Sequence, residues 1–331
     1  LSLLAAGLVA TAVLVSSATP ISARAGDGTA MPSGDASGPR SPAVSVFVSI
    51  APQAYFVERI GAEAVVVSTL VGGGQSPHTF EPTPKQMSQL AQSDVYFTVG
   101  LPFETRLKDR IQALNPDLRI VETAQPVNGH AVPAGGEAGG LLDGPTGRID
   151  DSADRAHHYD GHDSDPHTWL DPELAALQAE AIFRGLAAVA PNHEDRFRAN
   201  LDALLGDLAE LDRELEASFS PLAGAALFVY HAAFGHFARA YGLRQVAVET
   251  GGVEAGPRGL AELMDTARAE HARVIFVQPQ FSRQTADAIA REVGAAVVAI
   301  DPLAHDYIEN LRSVAAHVRA ALAEQKMPTS H

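Results

Sequence analysis

Residues 157–172 read HHYDGHDSDPHTWLDP, and the sequence changes character on either side of them. The first nine positions have almost no apolar content, which is typical of a solvated loop. The last seven, PHTWLDP, place Trp169 and Leu170 between two prolines, which predicts that this part anchors on a hydrophobic core. The stretch is therefore predicted to close one folded lobe before the chain continues.

The histidines of this stretch are the first candidates for a metal site. Imidazole and carboxylate at this density are ligands for a borderline metal ion such as Zn²⁺. His157, His158 and His162 lie in the polar half, where a disordered loop is as good an interpretation as weak, accessory metal binding. His167 differs, because the flanking prolines and the tryptophan hold its position. Its partners must come from elsewhere in the chain.

Before this stretch, apolar β-branched runs alternate with helical patterns, as in parallel βαβ units. We predict an N-terminal α/β lobe over 44–172, with a flexible insertion rich in His and Asp at about 125–166. The predicted strands are 44–50, 64–72, 94–100 and 118–122, with helices starting near Pro52 and Pro84.

After Pro172 the chain is predicted to be helical through 221. One helix spans about 173–189, and a second runs from a cap at Asn192 to about 217, with leucines at helical spacing. A helix of about 26 residues is roughly 39 Å long, enough to link two lobes. A plain core helix fits the same pattern.

The strand–helix alternation returns over 222–331, which predicts a C-terminal α/β lobe. The predicted fold class is α/β: two parallel-sheet α/β lobes joined by a long linker helix, with a metal cleft between them. The strands are 226–231, 245–249, 273–279 and 295–301, with a loop at 251–259 and helices at about 232–242, 257–270, 282–294 and 304–323.

Composition excludes several classes of protein. The 331 residues carry a formal net charge of −16, which argues against nucleic acids and anionic membrane surfaces as partners. The chain contains no cysteine, so disulfides, thiolate metal ligands and cysteine nucleophiles are excluded.

The N-terminal residues predict export. Residues 1–25 combine a short apolar run with the small-residue signal Ala-Arg-Ala, which is typical of a secretory signal peptide. A transmembrane anchor is the alternative, but the run is short for a span. Residues 26–43 are rich in Gly, Ser and Pro and predict a disordered tether. Without a cysteine for a lipid, we expect a protein of the Gram-negative periplasm.

Four residues share a position at, or just past, the end of a predicted element: His78, His167, His231 and Asp301. Ligands bind at the carboxyl ends of parallel strands, so the four would meet if the lobes face each other. Three imidazoles and one carboxylate suit Zn²⁺, and a closed set favours carriage or structure over hydrolysis. Each residue taken singly also fits a polar position at a strand end, and Asp301 fits a helix-capping turn.

The remaining histidines and two acidic residues receive lesser roles. Glu81 and Glu249 lie near the proposed cleft and are candidates to support the ligands from behind. His236 falls inside a helix and is interpreted as structural. The histidines interpreted as surface residues are His130, His193, His271, His305 and His317.

Several fragments occur in a recognisable order: PHTFEPTP (77–84), DPHTWLDP (165–172), YHAAFGHFARAYGL (230–243), FVQPQFS (276–282) and IDPLA (300–304). Through these fragments, residues 44–325 resemble the cluster A-I metal-specific solute-binding proteins of ABC importers, and most closely the zinc-binding branch of that group. The resemblance implies His78, His167, His231 and Asp301 as metal ligands and a rigid long helix between two lobes. Histidine at position 231 resembles the zinc branch, whereas manganese-binding relatives tend to have glutamate there.

The resemblance implies a monomeric protein that captures Zn²⁺ and delivers it to an ABC permease, and that is not an enzyme. A metallochaperone that loads it is a further possible partner. The insertion before His167 is shorter and poorer in histidine than the zinc-scavenging loops of relatives. Alternatives are a manganese or iron carrier of the same family, a zinc hydrolase and an adhesin with a structural metal. The hydrolase would need a motif such as H-E-x-x-H or G-x-S-x-G, which the sequence lacks.

Overall fold

The computed structural model describes residues 43–124, 165–250, 253–254 and 256–325. The predicted signal peptide, nearly all of the tether and most of the predicted insertion lie outside the described residues. Within the parts of the chain that the structure describes, no helix combines the length and the apolar content that crossing a membrane requires.

The first sheet has four parallel strands in the order β2-β1-β3-β4. The two central strands are rich in valine and aromatic residues and are almost completely buried, as a sheet covered on both faces requires. The strands are β1 (Val44–Val48), β2 (Val65–Thr69), β3 (Val95–Thr98) and β4 (Arg119–Glu122), and the first two helices are α1 (Ala51–Gly61) and α2 (Pro84–Leu90).

A helix that the sequence analysis did not assign, α3 (Pro102–Leu114), connects β3 to β4. It is mostly polar, and only Phe103, Leu107 and Ile111 form its buried apolar stripe. Its first turn is closed by Glu104, whose carboxylate accepts hydrogen bonds from three successive backbone N–H groups, those of residues 99–101. Burial raises the pKa of Glu104 to about 7, although these hydrogen bonds act in the opposite direction.

The helical segment forms as predicted, with a different cap. Helix α4 (Pro172–Val189) is capped by Asp171, whose side chain accepts from the backbone N–H groups of the next turn. A short 3₁₀ turn follows, so the second helix, α5 (Glu194–Phe219), begins after the predicted cap at Asn192. One face of α5 is buried: Phe197, Leu201, Leu204, Leu208, Leu211, Leu215 and Phe219.

The second sheet has five strands in the order β7-β6-β5-β8-β9, and the helices of this lobe begin with α6. Four strands are parallel, but β7 pairs antiparallel with β6, so the predicted loop at 251–259 is wrong at residues 253 and 254. The elements are β5 (Ala226–His231), α6 (Gly235–Ala240), β6 (Arg244–Thr250), β7 (Val253–Glu254), α7 (Pro257–Ala269), β8 (Val274–Val277), α8 (Arg283–Val293), β9 (Ala296–Ala299) and α9 (Tyr307–Gln325).

The two lobes are joined by helix and by direct hydrogen bonds. Helix α5 packs against α1 of the first lobe and against α9 of the second. Trp169, fully buried as predicted, donates from its indole nitrogen to the backbone oxygen of Pro302 at 2.8 Å. The hydroxyl of Tyr307 donates to the backbone oxygen of Trp169 at 2.6 Å. The loop that carries His167 is therefore fastened to the loop that follows β9.

The linker helix provides a direct stability test. Leu208 is buried on α5, whereas Leu205, three positions earlier, is only half-buried. Leu208→Ala removes packed methyl groups and should lower the free energy of unfolding by roughly 2–5 kcal/mol, and Leu205→Ala by clearly less. Urea unfolding of the metal-free protein measures both. Equal losses would contradict the packing of α5.

Candidate metal centre

Three of the four predicted ligands converge at one point. One ring nitrogen from each of His78, His167 and His231 lies within 4.8 Å of the other two. The Nε2 atom of His231 is 3.0 Å from Nε2 of His78 and 3.4 Å from Nε2 of His167. His167 and His231 are buried and His78 is half-buried, so the cluster is largely shielded from solvent.

The element ends bring these rings together. His231 is the last residue of β5, and His78 lies in the loop between β2 and α2. That loop is held by Phe80, whose ring packs edge-to-face on Phe103 at the start of α3, with centroids 5.1 Å apart. His167 directly precedes the turn that contains Trp169. The unpredicted helix α3 therefore helps to position the His78 loop.

His231 is held on several sides. Its Nδ1 is hydrogen-bonded to Glu249, which lies opposite it in the β5–β6 register, and both side chains are buried. The Gln278 side chain accepts from the backbone N–H of His231 and donates to its backbone oxygen, at 3.1 and 3.0 Å. Phe281 stacks on the imidazole with centroids 4.6 Å apart. The ring can therefore neither rotate nor tilt freely.

His167 is held by a carboxylate that the sequence analysis did not single out. Asp165 Oδ1 accepts from the backbone nitrogen of His167 at 3.0 Å and from its Nδ1 at 2.6 Å. Asp165 is buried, which by itself raises its pKa, but the hydrogen bonds and charge of His167 outweigh this and leave the pKa below its ordinary value. Asp165 is therefore an ionised acceptor.

These two carboxylates determine which ring nitrogens are available. A carboxylate only accepts, so Nδ1 of His167 and of His231 must carry the hydrogen and Nε2 must carry the lone pair. When both rings are neutral, their lone pairs are on Nε2 atoms that lie 3.4 Å apart. They repel each other unless a cation lies between them. The hydrogen bonding around the site thus prepares two nitrogen donors for a metal ion.

Two of the rings, those of His78 and His231, have lowered pKa values. Burial, reinforced by the neighbouring His231 and His167, lowers the pKa of His78 to about 4. Burial likewise lowers the pKa of His231, against the opposing hydrogen bond to Glu249. Neutral imidazole is the form that binds metal, so near neutral pH neither ring has to lose a proton first.

Asp301, the fourth predicted ligand, does not belong to the three-histidine cluster among the described residues. Strand β9 ends at Ala299, so Asp301 lies in the following loop and not at the strand end. Its Oδ1 accepts from Gln280 Nε2 at 2.8 Å and from the Leu303 backbone at 2.9 Å. Its role as a ligand stays a prediction.

The other sequence candidates have separate outcomes. Glu249 contacts a cluster histidine, whereas Glu81 is exposed. His236 is buried in α6. Three of the histidines interpreted as surface residues are exposed, as predicted. His193, interpreted in the same way, is half-buried and stacks on Phe197. The three confirmed histidines are His271, His305 and His317. The residues that lie outside the described part are His130, His157, His158 and His162.

Three imidazole nitrogens within 4.8 Å of one another are donors of the kind that zinc prefers, and tetrahedral coordination would require one further ligand. The chain contains no cysteine, and among the described residues Asp165 and Glu249 contact the cluster through the ring Nδ1 atoms and not through the Nε2 atoms that meet. The arrangement is therefore that of a nitrogen-rich candidate metal site between the two lobes.

Comparison with known proteins finds a family and relatives that are named for zinc or for metal binding. The family model described as "Zinc-uptake complex component A periplasmic" matches residues 46–321. A crystal structure of ZnuA aligns with a TM-score of 0.72 and 35% identity, covering 85% of this chain and 99% of that one. A putative metal-binding protein of Chlamydia muridarum is 28% identical over 82% of this chain and 88% of its own length.

A further relative is the zinc-binding lipoprotein AdcA of Streptococcus pneumoniae, 26% identical over 78% of this chain but over only 50% of its own length. The family match covers most of the present sequence and both sheets. The chain therefore belongs to the family of the zinc-uptake complex component A, periplasmic.

Proposed function

We propose that this protein captures Zn²⁺ in the periplasm and delivers it to the permease of an ABC importer. The observation that carries the proposal is the cluster of three imidazoles, two of which are forced by buried carboxylates to aim lone pairs at one point. The family model and AdcA, both named for zinc, support the choice of metal. Residues 1–25 would direct export, and the folded part would act as a monomer.

The proposed ligands are His78, His167 and His231, with Asp301 as the fourth. Within the described part of the chain, both hydrogen bonds of the Asp301 side chain go to Oδ1. Oδ2 is thus available to turn towards a bound ion. The proposed lobes are 44–172 and 222–331, with the helical segment 173–221 between them.

The chemical type of the ligands determines which metal ion we expect the site to prefer. Imidazole is a good ligand for zinc, whereas manganese prefers oxygen. We expect competitive titration to give zinc an affinity higher than that of manganese by orders of magnitude. Elemental analysis of the protein purified from the periplasm should find zinc. Equal affinities, or manganese in the purified protein, would contradict the proposal and favour a manganese carrier.

Replacing each ligand separately tests the site. His78→Ala, His167→Ala and His231→Ala should each weaken zinc binding by about 100-fold or more, beyond the roughly 10–100-fold that loss of a supporting group costs. Asp301→Ala should cost less, because water can take the fourth position. The control is His317→Ala, which removes an exposed imidazole on α9 and should leave the affinity unchanged. Wild-type affinity in His231→Ala would contradict the ligand set.

The pH dependence follows from the lowered pKa values. A free histidine titrates near about 6.5, so three free imidazoles would give a limiting slope of about three in log affinity against pH. The pKa of His78 is lowered to about 4, so this ring is already neutral across the window between these values. The slope from pH 6.5 to 5 should therefore stay well below three. Competitive zinc titration measures it, and a slope of three would show that all three rings bind protons in the metal-free protein.

A further inference from the structure

A hydrogen bond from a histidine ring links the C-terminal lobe to the backbone of Asp165, the residue that holds His167. His236, buried in α6, is 3.0 Å from the backbone oxygen of Asp165, 71 positions earlier in the chain. A carbonyl oxygen only accepts, so Nε2 of His236 carries the hydrogen and donates it. This ring belongs to the C-terminal lobe, and it fixes the residue that fixes His167.

The neighbouring glycine brings α6 against the same aspartate. A Cβ atom at Gly235 would lie 2.4 Å from Asp165 Oδ2, a distance that real Cβ contacts do not reach. Only glycine therefore allows the start of α6 to approach the carboxylate this closely. Gln245 accepts from the backbone nitrogen of Phe234 at 2.6 Å and holds the preceding residue of this loop. The backbone oxygen and the carboxylate of Asp165 therefore both lie against the start of α6.

The other carboxylate oxygen of Asp165, Oδ1, accepts hydrogen bonds from the backbone nitrogen and from Nδ1 of His167. The contacts form a chain from the second lobe to the ligand: α6 fixes Asp165, and Asp165 sets both the orientation and the tautomer of His167. His236 itself does not belong to the cluster of nitrogens that meet at the metal point.

We propose that His236, assisted by Gly235, is a positioning residue for zinc capture: acting through Asp165, it keeps His167 in the tautomer and orientation that bind the ion. The proposal rests on the zinc-capture function proposed above. In this proposal, helix α6 of the C-terminal lobe controls the orientation of His167, which is a metal ligand from the N-terminal lobe. His167 is then a competent ligand only while the two lobes are docked.

The test compares four single variants of the full chain, together with the double variant that combines His236→Leu with Gly235→Ala. His236→Leu removes the donor, whereas His236→Gln keeps an N–H donor on a side chain of similar reach. Gly235→Ala leaves the imidazole in place and displaces the Asp165 carboxylate. His317→Leu is the matched control, because it removes an exposed imidazole from α9 of the same lobe.

Two measurements are made on each variant. Competitive titration gives the zinc affinity. Long-range ¹H–¹⁵N correlation spectra of the metal-free protein, assigned with His167→Asn, report whether His167 carries its hydrogen on Nδ1 or on both nitrogens in exchange. A purely structural role for His236 would lower thermal stability but would not change the His167 tautomer.

We expect His236→Leu and Gly235→Ala each to weaken zinc binding by about 10–100-fold and to give mixed His167 tautomers. His236→Gln should restore most of the affinity, and His317→Leu should match the wild type. Because both residues act through Asp165, the double variant should lose less than the product of the two separate losses.

Three results would overturn the proposal: a loss below about tenfold, a loss with His167 still entirely in the Nδ1–H form, or a glutamine variant as weak as the leucine variant. If His236→Leu does not fold, Gly235→Ala decides by the first two criteria. A wild-type protein that does not bind zinc would contradict the proposed function itself. Tight binding by the wild type with unaffected variants would contradict only the role of His236.

Discussion

The rest of the site depends on two buried pairs of carboxylate and imidazole, Asp165 with His167 and Glu249 with His231. Burying an ionised carboxylate costs free energy unless hydrogen-bond donors surround it. Here the Nδ1–H group of the imidazole is the donor, and this hydrogen bond fixes the tautomer of the ring. The metal-facing nitrogens are left without hydrogens and close together. The surrounding fold keeps these nitrogens close together although they repel each other, and a bound cation removes the repulsion.

The fold supplies the rigidity that this arrangement needs. In the second lobe, the parallel register of β5 and β6 places Glu249 opposite His231, and Gln278 and Phe281 also hold this residue, so it is positioned by contacts within its own lobe. His167 lies on a loop, which has no such register. It is fastened instead by Trp169 and Tyr307, whose hydrogen bonds cross to the region after β9. The ligand on the loop thus depends on interlobe contacts, and the ligand on the strand does not.

Much of this architecture could be predicted from the sequence, because the central strands are apolar and β-branched and the long helix has a clean leucine stripe. Helix α3 was missed because its face is mostly polar, and its start depends on the contacts of a single carboxylate, Glu104, with three backbone N–H groups. The three candidate ligand histidines were recognisable from element ends and family resemblance. Asp165 was not, since an aspartate beside a histidine is common in polar loops, and only the fold shows that it is buried and turned onto the ring.

The position of the carboxylates also bears on which metal the site favours. If Asp165 and Glu249 contacted the ion directly, their oxygens would make a site suited to manganese, magnesium or calcium. Placed behind the rings, they still contribute negative charge that balances a divalent cation, but the atoms that meet the ion are nitrogen. The imidazoles transmit the charge and become more basic ligands. The site therefore combines the electrostatic attraction of an acidic centre with the donor chemistry of a nitrogen one, and that combination favours zinc over the cations that prefer oxygen.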